Sequence, residues 1–423
     1  MMDPWAAVSA RLNALDSMID LGLDRVQTAL HALGNPHLSL PPVVHVAGTN
    51  GKGSTIAMVR AMAAAQGLST HVYTSPHLVH WGERIVLAGD AIGSDALVPL
   101  LDEVAATGVR LTVFETLTVA AYLAFARVPA DLALIEVGLG GRLDATNVIA
   151  PVLSVITPVD LDHAAFLGRD RATIAREKAG IIKPGVPVVV ARQEPDAYAV
   201  LVECAAKASA RMIVWGQDFD VFEQGGHLVW QREDQLLDLP LPALHGRHQI
   251  DNAGTAIAVA VEMGWQPDAI AHGLRTVRWP ARLQHLSTGP WARRAAAQGC
   301  ELWLDGAHNP HGAHAAAEFF ADLNARAPKP LDLIVGTLNT KDTAGVFAPF
   351  AGLVRHVHAI TIPDAAGALP ADQVAALAHG AGIEATPYLS LEAAYAGTLR
   401  GHGHRIAVIG SLYLAGWVLK ENA

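Results

Sequence analysis

The stretch Val43-Val44-His45-Val46-Ala47-Gly48-Thr49-Asn50-Gly51-Lys52-Gly53-Ser54 decides the fold class. A mostly apolar run of strand length enters a glycine-rich turn, and residues 53–66 then carry a helical pattern. Strand, glycine turn and helix start are the setting of a phosphate-binding loop. Glycines let backbone N–H groups close around phosphate oxygens, and the helix N-terminus adds partial positive charge. The loop predicts ATP as ligand. Thr49, Asn50, Gly51, Lys52, Gly53 and Ser54 form the cradle, with Lys52 reaching the β- and γ-phosphates. Ser54 or Thr55 binds a phosphate or faces a metal. The spacing is not a strict GxxxxGK[ST], because Gly53 separates Lys52 from Ser54.

Outward from the loop, apolar runs alternate with helical patterns. Residues 71–73, 132–137, 152–156 and 187–191 read as strands, and 116–126 as a helix. That alternation predicts an α/β fold, a parallel-sheet ATPase domain with helices on both faces. Residues 215–239 read as a small antiparallel excursion, followed by a helix over 251–264 with Asp251 as N-cap. Residues 286–299 show little periodicity and set a domain boundary, giving domains 1–288 and 289–423. Residues 302–304, 331–335, 356–360 and 406–409 then read as strands of a smaller, Rossmann-like α/β C-terminal domain. Two such domains predict a ligand cleft between them, closing about a hinge at 286–299.

The chain has 423 residues, too many for one ordinary core, and 51% are hydrophobic against 17% charged, as in a globular protein. A net charge of −10 argues against a broad nucleic-acid surface while leaving room for a local basic pocket. Cys204 and Cys300 have no metal-site spacing and form no disulfide framework, which fits a reducing cytoplasm. Residues 1–10 lack signal-peptide features, and no apolar run predicts a membrane span.

Phosphoryl transfer needs Mg²⁺, and Mg²⁺ needs oxygen ligands. Glu136 ends the buried run 132–137, the position of a Walker B acid, or else it is an edge carboxylate capping a helix. Asp160-Leu161-Asp162-His163 follows another strand, and His163 is either a ligand of a second metal or structural. Ser75-Pro76-His77-Leu78 follows the strand 71–73, where the serine reaches the same crevice or merely turns the chain. Lys178, in Glu177-Lys178-Ala179-Gly180, reads from composition as a solvated helix residue.

Taken together, residues 48–54, 75–78, 136–147, 162–168 and 177–181 resemble folylpolyglutamate synthase, of the bacterial bifunctional kind with dihydrofolate synthase activity. His248-Gln249, Asn252-Ala253, Arg282, Asp305-Gly306-Ala307-His308-Asn309-Pro310 and Gly410-Ser411 continue the likeness in order along nearly the whole chain. The wider relatives are the Mur ligases, whose central domain the first domain is similar to.

The resemblance implies an ATP-dependent ligase that adds L-glutamate to 7,8-dihydropteroate and to tetrahydrofolates through an acyl phosphate. It implies that Ser75 and Glu136 hold one Mg²⁺, and Glu136 with His163 a second. Lys178 matches a carbamylated lysine that organises the second metal site. Lys52, Lys178 and His163 are the implied catalytic set. Asn252, Arg282 and Asp305 match nucleotide contacts. Ile19, Asp20, Leu21, Phe114, Glu115, Thr116, Leu117, Leu143, Asp144 and Ala145 match pterin-binding segments, and His308 and Ser411 the glutamate side. A cytoplasmic monomer without nucleic-acid or membrane partners is implied. Two departures touch the nucleotide clamp: Ala281 stands where many members have glycine, and Thr340-Lys341-Asp342 replaces an Asp-Lys-Asp-like segment. The competing classes are a Mur-type peptide ligase, which takes UDP-linked substrates, and a P-loop ATPase or kinase, which needs neither Lys178 nor residues 305–310.

Overall fold

The computed structural model describes residues 3–15, 20–339, 342–365 and 367–423, so Ile19, Thr340 and Lys341 lie outside the described residues. Residues up to Ala243 together with Gln249–Arg278 form one compact unit, and Leu244–His248 with Trp279–Ala423 form a second.

The first unit is built on eight strands: β1 (Val43–Ala47), β2 (Thr70–Tyr73), β3 (Ile85–Leu87), β4 (Asp90–Ala91), β5 (Leu132–Glu136), β6 (Leu153–Ile156), β7 (Val188–Val190) and β8 (Met212–Val214). Their order is β4-β3-β2-β5-β1-β6-β7-β8. From β2 to β8 every pairing is parallel, while β3 and β4 add antiparallel at one edge. β1 lies between β5 and β6, and all five of its residues are buried. This is why its sequence is a continuous apolar run rather than an alternating one.

Side chains alternate across a strand. On one face Val43, Tyr73, Ala133 and Ile135 share a core with Leu117, Ala121 and Phe125 of the helix Val113–Arg127. Val44, Val46, Leu134 and Val155, which point the other way, are equally buried. The helix Lys52–Ala65 lies against β1, β2 and β5, and the helix Pro267–Thr276 packs on it. The helix Val113–Arg127 starts ahead of the predicted 116 because of a capping box: Thr112 Oγ1 accepts from Glu115 N, and the Glu115 carboxylate accepts the Thr112 N–H at 2.8 Å. Phe114 and Glu115 therefore sit in its first turn.

The antiparallel excursion is the meander β9 (Phe219–Gln224), β10 (His227–Arg232) and β11 (Gln235–Pro240). Buried Trp230 anchors it by donating to Gly254 O at 3.1 Å. Asp251 is not an N-cap. The helix runs His248–Glu262, so Asp251 already lies inside its first turn, beside buried Gln249 and Asn252.

The second unit holds β12 (Gln284–Leu286), β13 (Glu301–Leu304), β14 (Leu331–Val335), β15 (Val354–Ile360), β16 (Ala385–Tyr388) and β17 (Arg405–Ile409). The order is β12-β13-β17-β14-β15-β16, parallel except for β12. The stretch 286–299 is not structureless. It carries the helix Pro290–Ala297, opened by proline at its first position and burying Trp291, Ala292 and Ala295. The division falls at Trp279 rather than after residue 288, since β12 already pairs with β13. Among the described residues no helix is long and apolar enough to cross a membrane.

Candidate active site

The loop after β1 leaves a sheet whose neighbours β5 and β6 end at the same level. Its two left-handed glycines are required by close approach. A Cβ on Gly48 (φ 154°) would sit 1.8 Å from Thr157 Oγ1, and one on Gly51 (φ 86°) 2.4 Å from Asn252 Oδ1. The loop is pinned to the segment after β6: Thr49 N donates to Pro158 O at 2.9 Å, and Thr49 Oγ1 donates to Asp160 O at 2.9 Å. Asn252 Nδ2 in turn donates to Gln249 Oε1 at 3.0 Å, and Gln249 Nε2 to Ser54 Oγ at 3.4 Å. Nothing in the sequence marked Thr157 as a wall of the loop. Its signal is only its place one residue past β6.

Lys52 folds over the loop, with Nζ 3.2 Å from both Gly48 O and Thr49 O and 3.9 Å from Glu136 Oε1. Glu136, buried at the end of β5, takes the Ser75 N–H on its other oxygen at 3.1 Å. Lys178 differs from its sequence reading: it is only 4% exposed, because Gly141 and Gly180 let the chain close over it, and its Nζ donates to Gly48 O at 2.8 Å. Burial, reinforced by the nearby Lys52 charge, pulls its pKa down to about 7 against the opposing pull of Asp162 and Asp144. His163 precedes the turn Ala164–Leu167 in a left-handed conformation (φ 51°) without a side-chain cap bond, its ring 3.8 Å from Asp162.

The loop thus brings Lys52, Glu136, Ser75 and Lys178 to one place. A Cβ at 48 or 51 would collide with Thr157 or Asn252, so the loop holds its turn only with glycine at both positions. The buried Thr55 hydroxyl has no hydrogen-bond partner among the described residues. Among those residues no three His, Cys, Asp or Glu are grouped to hold a metal alone. Glu136 offers the hard oxygen ligand that Mg²⁺ favours, and Mg²⁺ takes one or two carboxylates plus substrate phosphates rather than an all-protein cage.

The other candidate residues divide by role. Asp144 is buried and works inside its own turn. It accepts from Leu139 N at 2.8 Å and Thr146 N at 3.0 Å, and burial raises its pKa against those bonds. It caps the short turn starting at Ala145, while Leu143 is half-buried beside it. Thr116 and Leu117 are buried in the helix Val113–Arg127, and Leu21 is half-buried. Asp20 and Glu115 are joined by Arg25, which sequence reasoning passed over.

In the second unit, buried Asp305 accepts from Leu283 N at 2.7 Å and Ala307 N at 2.8 Å. Burial raises its pKa, with Arg282 the main opposing influence. Arg282 stands between two left-handed residues, Ala281 (φ 56°) and Leu283 (φ 43°). Gly410 N donates to Ala307 O at 2.8 Å, so residues 305–308 and Ser411 meet at the same strand ends. There His308 Nδ1 lies 3.0 Å from Gly306 O, and Ser411 caps the helix Leu412–Glu421.

The Mur ligase middle domain matches residues 46–260, half of the chain and the part that holds the phosphate loop. The folylpolyglutamate synthase of Lacticaseibacillus casei is 36% identical over 92% of this chain and 92% of its own length. The chain belongs to the folylpolyglutamate synthase/dihydrofolate synthase family. It is therefore an ATP-dependent glutamate ligase by family, as the sequence resemblance implied. The solved E. coli FolC in complex with DHPP and ADP superposes with a TM-score of 0.88 at 29% identity, covering 99% of this chain and 97% of that one. The bifunctional Yersinia pestis enzyme complexed with AMPPNP and Mn has a TM-score of 0.87 at 32% identity, covering 99% and 98%. The family thus works with an adenine nucleotide and a divalent metal.

Proposed function

We propose that this chain joins L-glutamate to 7,8-dihydropteroate, forming dihydrofolate, and to the γ-carboxylate of tetrahydrofolates. The observation that carries the reading is the meeting of Lys52, Lys178, Glu136 and Ser75 at the phosphate loop, beside a family likeness to bifunctional enzymes. A carboxylate is a poor electrophile, so its oxygen first attacks the γ-phosphorus of ATP and ADP leaves. The glutamate amine then attacks the carbonyl carbon of the acyl phosphate. Phosphate departs, and the nitrogen loses a proton. The chain's part is positioning and charge stabilisation.

Backbone N–H groups of residues 49–54 hold the phosphates, and Lys52 releases the loop carbonyls to follow the transferred group. Ser75 and Glu136 would hold one Mg²⁺ and Glu136 with His163 a second, and the bound metal would supply further neutralisation of the phosphate charge. Lys178 with a pKa near 7 has a substantial neutral fraction at neutral pH, the form that adds CO₂ to give a carbamate. That new carboxylate would organise the second metal site. Asn252, Arg282 and Asp305 are proposed nucleotide contacts, and residues 20, 21, 114–117 and 143–145 pterin contacts. His308 and Ser411 are proposed for the incoming glutamate, in a cytoplasmic monomer.

ADP release tests this directly. Dihydropteroate with glutamate, and separately tetrahydrofolate with glutamate, stimulate it, and hydroxylamine traps the acyl phosphate as a hydroxamate. Stimulation by UDP-linked muropeptides instead, or folate-independent ADP release, overturns the proposal.

A further inference from the structure

Arg25 uses its whole guanidinium. Nε and Nη2 donate to the Glu115 carboxylate at 3.1 and 2.8 Å. The same Nη2 donates to the Asp20 backbone carbonyl at 2.9 Å, and Nη1 meets the Asp20 carboxylate at 2.7 Å. The two carboxylates are unlike. Glu115 is 4% exposed and locked in the capping box with Thr112, whereas the Asp20 side chain is 60% exposed. The arginine thus transfers the rigidity of a buried helix start to an exposed acid on another segment.

That helix start lies next to the reaction centre. Phe114 packs so closely on Gly138, two residues past Glu136, that a Cβ there would meet its ring at 2.4 Å. A reduced pterin presents an amino group and a ring N–H side by side, a donor pair that pairs with a fixed carboxylate. A freely turning aspartate would lose that match to rotamer entropy.

We infer that Arg25 is a positioning residue for the pterin: anchored on Glu115, it sets the Asp20 carboxylate, main chain and side chain together, to accept the pterin donors. The inference rests on the folate-ligase reading above. Only a planar fork reaches both acids at once, so lysine is not a substitute.

The test is steady-state ADP release in the full chain, with KM for dihydropteroate and for ATP measured separately. Arg25→Ala raises KM for dihydropteroate about tenfold, the scale of one lost charged hydrogen bond, while kcat and KM for ATP stay within about twofold. Arg25→Lys falls short of wild type in the same parameter. Because Arg25→Ala leaves Glu115 buried without its partner, Arg25→Met/Glu115→Gln keeps the volume and the capping box and removes both charges. It shows the same KM rise at a native melting temperature, whereas Glu115→Gln alone, which leaves Arg25 on Asp20 and so reads any pterin contact of Glu115 itself, raises that KM less. An unchanged KM for dihydropteroate in that folded double variant overturns the inference, as do equal rises in both KM values. A wild type that dihydropteroate does not stimulate overturns the underlying reading instead, before any variant is compared.

Discussion

Two buried charges, one in each unit, have opposite surroundings. Asp332, near the start of β14, is saturated. Arg355 binds it with two N–H groups, Nε at 2.8 Å, and the rings of His358 and His404 lie 3.7 and 3.5 Å away. His404 in turn meets Cys300 Sγ at 3.3 Å. Lys178, beside the loop that follows β1, donates to one backbone carbonyl, and no carboxylate among the described residues comes within ion-pair distance of it. Burial opposes charge at both sites, yet the outcomes differ. His358 and Arg355 overcome that penalty and hold Asp332 below the usual carboxylate range, while Lys178 is pulled down to about 7. In a parallel α/β sheet ligands bind beyond the strand C-termini, not at strand starts. A saturated cluster at strand starts holds the fold together. A buried amine without a carboxylate partner, beside the loop that follows β1, costs stability, and perturbed groups of that kind cluster at functional sites.

The largest effect that can break this contrast is in the saturated cluster. Asp332→Ala lowers unfolding free energy by about 3 kcal/mol, at the low end for a broken buried pair because Arg355 is 46% exposed and can turn to water. Urea denaturation reads it, and activity well below the melting temperature persists. Lys178→Ala does the reverse. Turnover falls about a hundredfold, while the melting temperature holds or rises because a buried cation has gone. A destabilised but fully active Lys178→Ala would collapse the distinction.

Acid sharpens it. The Asp332 pKa is depressed in the folded state, so its stabilisation is complete above the unfolded value of 3.8 and is lost as pH falls through the folded value. Urea midpoints measured from pH 5 downward fall more steeply for wild type than for Asp332→Asn. The smallest effect lies at the second unit's own strand ends. Ala281→Gly relieves a left-handed alanine (φ 56°) and raises stability by less than about 1 kcal/mol, since glycine also gains freedom in the unfolded chain. A lower urea midpoint for that variant would show that the alanine methyl, fully buried, matters more than the strain.

The loop from Gly48 to Ser54, its flanking strand and helix, and the strands 132–137, 331–335 and 406–409 were legible because buried parallel strands are continuous apolar runs. The family was legible for a different reason: its motifs recur in order along the whole chain. The edge strand β4 has only two residues, and the apolar run of β3 only three, Ile85–Leu87, too few to stand out, while the helix Pro290–Ala297 was hidden by its arginines and alanine-rich composition. Asp251 was misread as a cap because an acidic residue near a helix start looks the same one turn too late.

By itself the sequence determined the α/β class, the phosphate loop and membership of a glutamate-ligase family, since local pattern and ordered motifs carry these. Tertiary structure alone decided that Lys178 is a buried amine against Gly48 rather than a solvated helix residue. It alone joined Asp20 to Glu115 through Arg25, and set Thr157 and Asn252 against the two loop glycines. Burial and cross-chain hydrogen bonds depend on which distant segments fold together, and neither spacing nor composition encodes that.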